Sequence, residues 1–84
     1  MNLTIYTQPN CTYCDQAKAL MKSKGVAYQE IILNVGQKQE DGKTYVPVAH
    51  FREKLPNART MPQILEGKTL IGGFAELQKF LRYD

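Results

Sequence analysis

Leu3-Thr4-Ile5-Tyr6 alternates apolar with polar or amphipathic side chains, the period of a half-buried strand, and Pro9 ends it. From Thr12 to Lys24 the period becomes helical. Ala17, Leu20 and Met21 share one face, lysines fill the outer one, and Gly25 stands where a helix C-cap belongs. Val26 to Leu33 reads as a second strand, and strand, helix and strand together predict a parallel pair with a right-handed crossover. Asn34 to Thr44 is polar and glycine-punctuated, a surface loop in which Asp41-Gly42 permits a small hairpin ending near Tyr45-Val46. Val48, Phe51 and Leu55 lie on one helical face, with Pro47 suited to a first helical position and Pro56 as the stop, so a short helix is predicted over Val48 to Leu55. Met61 to Leu65 and Lys68 to Ile71 are two strands joined at Glu66-Gly67. Gly72-Gly73 breaks the second, and Phe74, Leu77, Phe80 and Leu81 form the apolar stripe of a closing helix that runs to about Leu81.

The predicted order is βαβαββα. Such an order folds as a mixed sheet of four strands covered by helices on both faces, an α/β layout of thioredoxin-like type. The 84 residues leave room for one domain, 1–84, which buries only about two-thirds of its unfolded surface. Hydrophobic residues make up 43% of the chain, but none of its segments has the run of about 18 apolar residues that a membrane span needs. Met1 to Ile5 is already strand-like and has no basic flank, so no secretory leader and a cytoplasmic location are expected. The net charge of +3 suits an anionic small molecule or an acidic protein surface. Lysines are scattered among glutamates without an arginine-rich run, which speaks against a nucleic-acid partner.

Candidate chemistry lies in Cys11-Thr12-Tyr13-Cys14, at the predicted start of the first helix, and the chain has no third cysteine. The first thiol of such a pair faces unpaired backbone N–H groups and the positive end of the helix dipole, which favour the thiolate. With two residues between them, the second thiol can approach the first and resolve a mixed disulfide formed on it. Half a zinc site is the alternative. Zinc needs about four ligands, and His50 is the only histidine available to join the pair. Asp15, being negative, works against a thiolate at Cys11.

Cys11-Thr12-Tyr13-Cys14, Thr60-Met61-Pro62 and Gly72-Gly73-Phe74, in that order over nearly the whole chain, resemble a dithiol glutaredoxin, most closely the short bacterial and bacteriophage forms. The resemblance implies a glutathione-dependent thiol–disulfide oxidoreductase with Cys11 as nucleophile and Cys14 as resolving thiol. It implies no tightly bound cofactor or metal, and glutathione as co-substrate. Its partners would be disulfide-containing or glutathionylated proteins, ribonucleotide reductase among the targets to consider, acting on a monomer without nucleic acid or membrane. Tyr13, Thr60, Met61, Pro62, Gly73 and Phe74 are the implied glutathione-binding residues.

Each has a plainer reading beside it. Pro62 is cis in the family pattern, which frees the Met61 backbone to pair with an extended peptide, whereas an isolated X-Pro bond favours trans. Gly72-Gly73 is a strand-to-helix turn and, in the family, also an anion site for the γ-glutamyl carboxylate. Tyr13 is a cleft wall or an exposed aromatic. Ala75 replaces the usual acidic or hydroxyl residue and removes a side-chain cap, and Gln8 replaces a frequent lysine. His50 and Arg52 are candidates for the glycine carboxylate or are surface groups. Thr12 stands where proline is commonest, and family members with a small residue there hold an iron–sulfur cluster between two subunits; a colourless protein after anaerobic reconstitution with iron and sulfide removes that reading here.

Overall fold

The computed structural model describes residues 2–82. Its elements are β1 (Leu3–Thr7), α1 (Thr12–Ser23), β2 (Tyr28–Asn34), β3 (Thr44–Pro47), α2 (Val48–Lys54), β4 (Gln63–Glu66), β5 (Thr69–Gly72) and α3 (Phe74–Arg82). They form a five-stranded sheet in the order β3-β2-β1-β4-β5. β1 runs parallel to β2 with Ile5 opposite Glu30, and antiparallel to β4 with Ile5 opposite Ile64.

The alternation along β1 divides the core in two. Leu3 and Ile5 point to the face where Ala17 and Met21 of α1, Ile64 of β4, and Leu77 and Leu81 of α3 close a fully buried cluster. Tyr6 points to the other face and packs edge-on against Phe51 of α2, their ring centroids 5.3 Å apart, with Leu33 beside them. The expected layers, helices on both faces of a mixed sheet, are therefore present.

One expectation is corrected. The sheet has five strands instead of four, because Thr44–Pro47 pairs with β2 in parallel, Ile31 beside Thr44 and Asn34 beside Pro47. An Asp41-Gly42 hairpin would have made that pairing antiparallel. Gly42 does turn the chain, at φ +82°, but residues 35–43 first carry it back along β2, so that β3 starts beside the middle of that strand. As the edge strand, β3 tolerates Pro47, whose missing N–H faces no further strand.

The end of α1 follows the sequence closely. The Gly25 N–H donates to the Lys22 carbonyl at 3.1 Å and the Val26 N–H to the Met21 carbonyl at 2.9 Å, with Gly25 at φ +68°. That is a Schellman closure, in which glycine meets the left-handed position without a Cβ penalty and Val26 is delivered to the core.

Candidate active site

The loop after β1 reaches α1 through Asn10, a non-glycine residue at φ +58°, which asparagine tolerates better than most side chains. Cys11 is the N-cap of α1, in extended conformation, and its Sγ accepts the Cys14 N–H at 3.1 Å. A sulfur atom thus does what a Ser or Asp oxygen does at other helix starts. The same N–H would favour negative charge on Cys11 Sγ once the thiol is reduced. Cys11 and Cys14 are joined as a disulfide with their Cα atoms 5.2 Å apart. Cys11 is half-buried, whereas Cys14, one turn along, is only 1% exposed. The pair therefore has one sulfur at the surface and one beneath it.

Beside Tyr13 lies a cleft of about 460 Å³ lined by Tyr13, Thr60, Met61, Pro62, Gly73 and Phe74. All six residues singled out in the sequence for substrate binding come together here. Tyr13 is 60% exposed and its ring stands 6.0 Å from that of Phe74, so the two aromatics form one wall. The Met61–Pro62 bond is cis.

At the start of α3, Gly72 has φ +129°, and a Cβ there would come within 2.7 Å of Glu76 Cγ. The Gly73 N–H is already engaged, donating to Glu76 Oε1 at 2.8 Å. The cap missing at Ala75 is therefore supplied three residues into the turn, the spacing of half a capping box, and Gly73-x-x-Glu76 was the signal that could have found it. Of the two side chains considered for a carboxylate, Arg52 borders a hollow of about 390 Å³ with Gln8, Thr60 and Met61, and His50 does not line it. Arg59 also lines this hollow. Sequence reasoning passed over it, although it directly precedes Thr60-Met61-Pro62.

On the other side of the disulfide is a polar cavity of about 260 Å³, lined by both cysteines and by Lys18 and Glu30. Glu30 Oε2 accepts the Thr7 hydroxyl at 2.7 Å and the Lys18 ammonium at 3.0 Å. Burial alone would push the Glu30 carboxyl up, but the hydrogen bonds from Thr7 and Lys18 and the charges of Lys18 and Lys43 outweigh it, holding the group below the usual carboxylate range. These three residues were not anticipated. Lys18 supplies the positive charge that Gln8 and Asp15 do not. Among the described residues no three His, Cys, Asp or Glu side chains converge on a metal-sized point, and no helix is long and apolar enough to cross a membrane.

Residues 3–71 match the glutaredoxin family model. The chain belongs to the glutaredoxin family. It is 44% identical over 52 residues to glutaredoxin 3 of Escherichia coli, covering 55% of this chain and 63% of that protein. It is 33% identical over 79 residues to the hybrid peroxiredoxin of Haemophilus influenzae, covering 94% of this chain but 29% of that longer protein. The chain thus spans less than two thirds of either relative. The solution structure of glutaredoxin from Brucella melitensis superposes with a TM-score of 0.66 at 32% identity, over 95% of this chain and 77% of that one. Family membership accounts for the thioredoxin-like architecture.

Proposed function

We propose that this chain is a cytoplasmic, glutathione-dependent thiol–disulfide oxidoreductase that reduces protein disulfides and glutathione mixed disulfides. The observation that carries the proposal is the pair itself: a surface sulfur at a helix N-cap, in disulfide contact with a buried one, next to a cleft with an aromatic wall and the Met61–Pro62 turn. Cys11 as thiolate attacks a substrate disulfide, and the mixed disulfide is held on Cys11. Cys14 then attacks Cys11 Sγ and releases the reduced substrate. One glutathione reopens the Cys11–Cys14 disulfide to a mixed disulfide on Cys11, and a second restores the dithiol. The Met61 backbone, Tyr13 and Phe74 would grip the tripeptide, with the first-turn amides of α3 as its carboxylate site.

In assay, Cys11→Ser should lose reduction of every disulfide. Cys14→Ser should keep glutathione-dependent deglutathionylation and lose dithiol reduction, for which ribonucleotide reductase is a protein substrate to try. Equal residual activity in the two variants contradicts the assigned roles. Turnover by thioredoxin reductase, with none from glutathione and its reductase, would replace glutathione as the electron source.

A further inference from the structure

Cleft chemistry leaves the polar cavity on the far side of the disulfide unexplained, and with it the ionisation of Cys14. Cys14 is only 1% exposed, and burial disfavours the charged form of a thiol. It must nevertheless become a thiolate to attack Cys11. Lys18 lies four residues after Cys14 on α1, the spacing that stacks two side chains on one helix face with Cβ atoms about 5–6 Å apart. The Lys18 ammonium does not run out to solvent. It is held by Glu30 Oε2 at 3.0 Å, and Glu30 is in turn fixed by the hydroxyl of Thr7, a residue only 3% exposed. The Lys18 and Glu30 side chains are 27% and 24% exposed, so solvent and salt screen their fields less than those of fully exposed charges.

Other charges near this cavity are placed to matter less. Glu40 and Lys43 pair with each other at 2.8 Å and are 66% and 49% exposed. Asp15, 79% exposed, stands 3.9 Å from Lys18. Exposed Lys38 and the Tyr45 hydroxyl complete the ionisable lining, and on the cleft side the ionisable residues are Tyr13 and Glu76.

We propose that Lys18 and Glu30 are positioning residues that set the ionisation of Cys14 for the resolving step. Lys18 favours the thiolate, while Glu30, fixed by Thr7, keeps Lys18 inside the cavity and opposes part of its effect. The inference rests on Cys14 being the resolving thiol. In that step the Cys14 thiol gives its proton to solvent and its electron pair forms the bond to Cys11 Sγ. The bond between Cys11 and the substrate sulfur breaks, and the departing substrate thiolate takes that electron pair and then a proton. The dithiol is oxidised to the disulfide, and the substrate disulfide is reduced.

The test titrates Cys14 by thiolate absorbance in the Cys11→Ser protein, where it is the one remaining thiol. Lys18→Met keeps the stem and removes the charge, and should lower the thiolate fraction at a given pH about tenfold, equivalent to a one-unit rise in the midpoint. Glu30→Gln keeps an oxygen to accept from Lys18 while removing the negative charge, and should move the midpoint the opposite way; Lys18→Arg should stay near the parent. With Cys11 restored, release of substrate from the mixed disulfide at neutral pH should slow about tenfold in Lys18→Met and recover in Lys18→Arg. A purely structural role would not give opposite signs. Midpoints that do not move, or that move in the same direction for Lys18→Met and Glu30→Gln, overturn the inference. If Lys18→Met does not fold, Glu30→Gln decides alone: an unchanged or raised midpoint refutes. The opposite shifts would support the inference even in a protein that fails to turn over with glutathione, so the two readings fail separately.

Discussion

Removing the Glu76 carboxylate should weaken the fold and tighten glutathione binding at once. Glu76 Oε1 receives the Gly73 N–H at 2.8 Å, from an exposed side chain, at the helix start where the substrate's own carboxylate is proposed to sit. A cap of this kind contributes about 1 kcal/mol. For 84 residues the entropy of unfolding is about 0.18 kcal/mol/K, so Glu76→Ala should lower Tm by about 6 °C. The same contact must be released before an incoming carboxylate can use the Gly73 amide. Deleting it beforehand should therefore lower KM for glutathione by about fivefold, the equivalent of the same free energy. Differential scanning calorimetry gives the first quantity and a coupled assay with glutathione reductase the second. Glu76→Gln retains an acceptor and should fall between parent and Glu76→Ala in both. A KM that stays level or rises while Tm falls would show that Glu76 holds the substrate instead of competing with it, and the reasoning would fail.

Other consequences are simpler. Because the folded Glu30 carboxyl is held below its ordinary value, its stabilisation is fully present above the unfolded value of about 4.5 and is lost as pH falls through the lower folded one. Urea melts of the parent and Glu30→Gln should accordingly differ most near neutrality and converge in acid; a gap that widens in acid refutes this. Leu77→Ala removes a side chain with 0% exposure from the cluster shared by α1, β1 and α3, and should cost about 2–5 kcal/mol by urea denaturation. A loss below about 1 kcal/mol would mean the site collapses around the vacancy.

Local signals in the sequence were read correctly where one residue and its near neighbours decide the outcome. Gly25 closes α1 because a left-handed residue is needed within the last turn, and the alternation in β1 sorts Leu3 and Ile5 from Tyr6 without reference to anything distant. β3 was not legible in the same way. Thr44, Tyr45 and Val46 are strand formers but only three residues before Pro47, and their pairing with β2 depends on where residues 35–43 place them. The cleft was legible through three motifs far apart in the chain, which neither periodicity nor charge would have joined. Thr7, Lys18 and Glu30 escaped notice because their meeting depends on the register that sets Ile5 beside Glu30. A one-residue slip would have turned Glu30 to the opposite face.

Residues 35–43 hold themselves in shape. Val35 N–H bonds the Gln37 side chain, Gly36 N–H the Asn34 side chain, Glu40 N–H the Tyr45 hydroxyl, and Gln37 reaches only to the Leu33 carbonyl, so every one of these bonds ends within the segment or on β2 or β3. The segment nevertheless contributes Gln37, Lys38, Glu40 and Lys43 to the wall facing the disulfide. It is a natural cassette. Sequences of other charge could be grafted between Asn34 and Thr44 to redirect which acidic or basic proteins approach the cysteines, while the buried clusters on either side of β1 stay as they are.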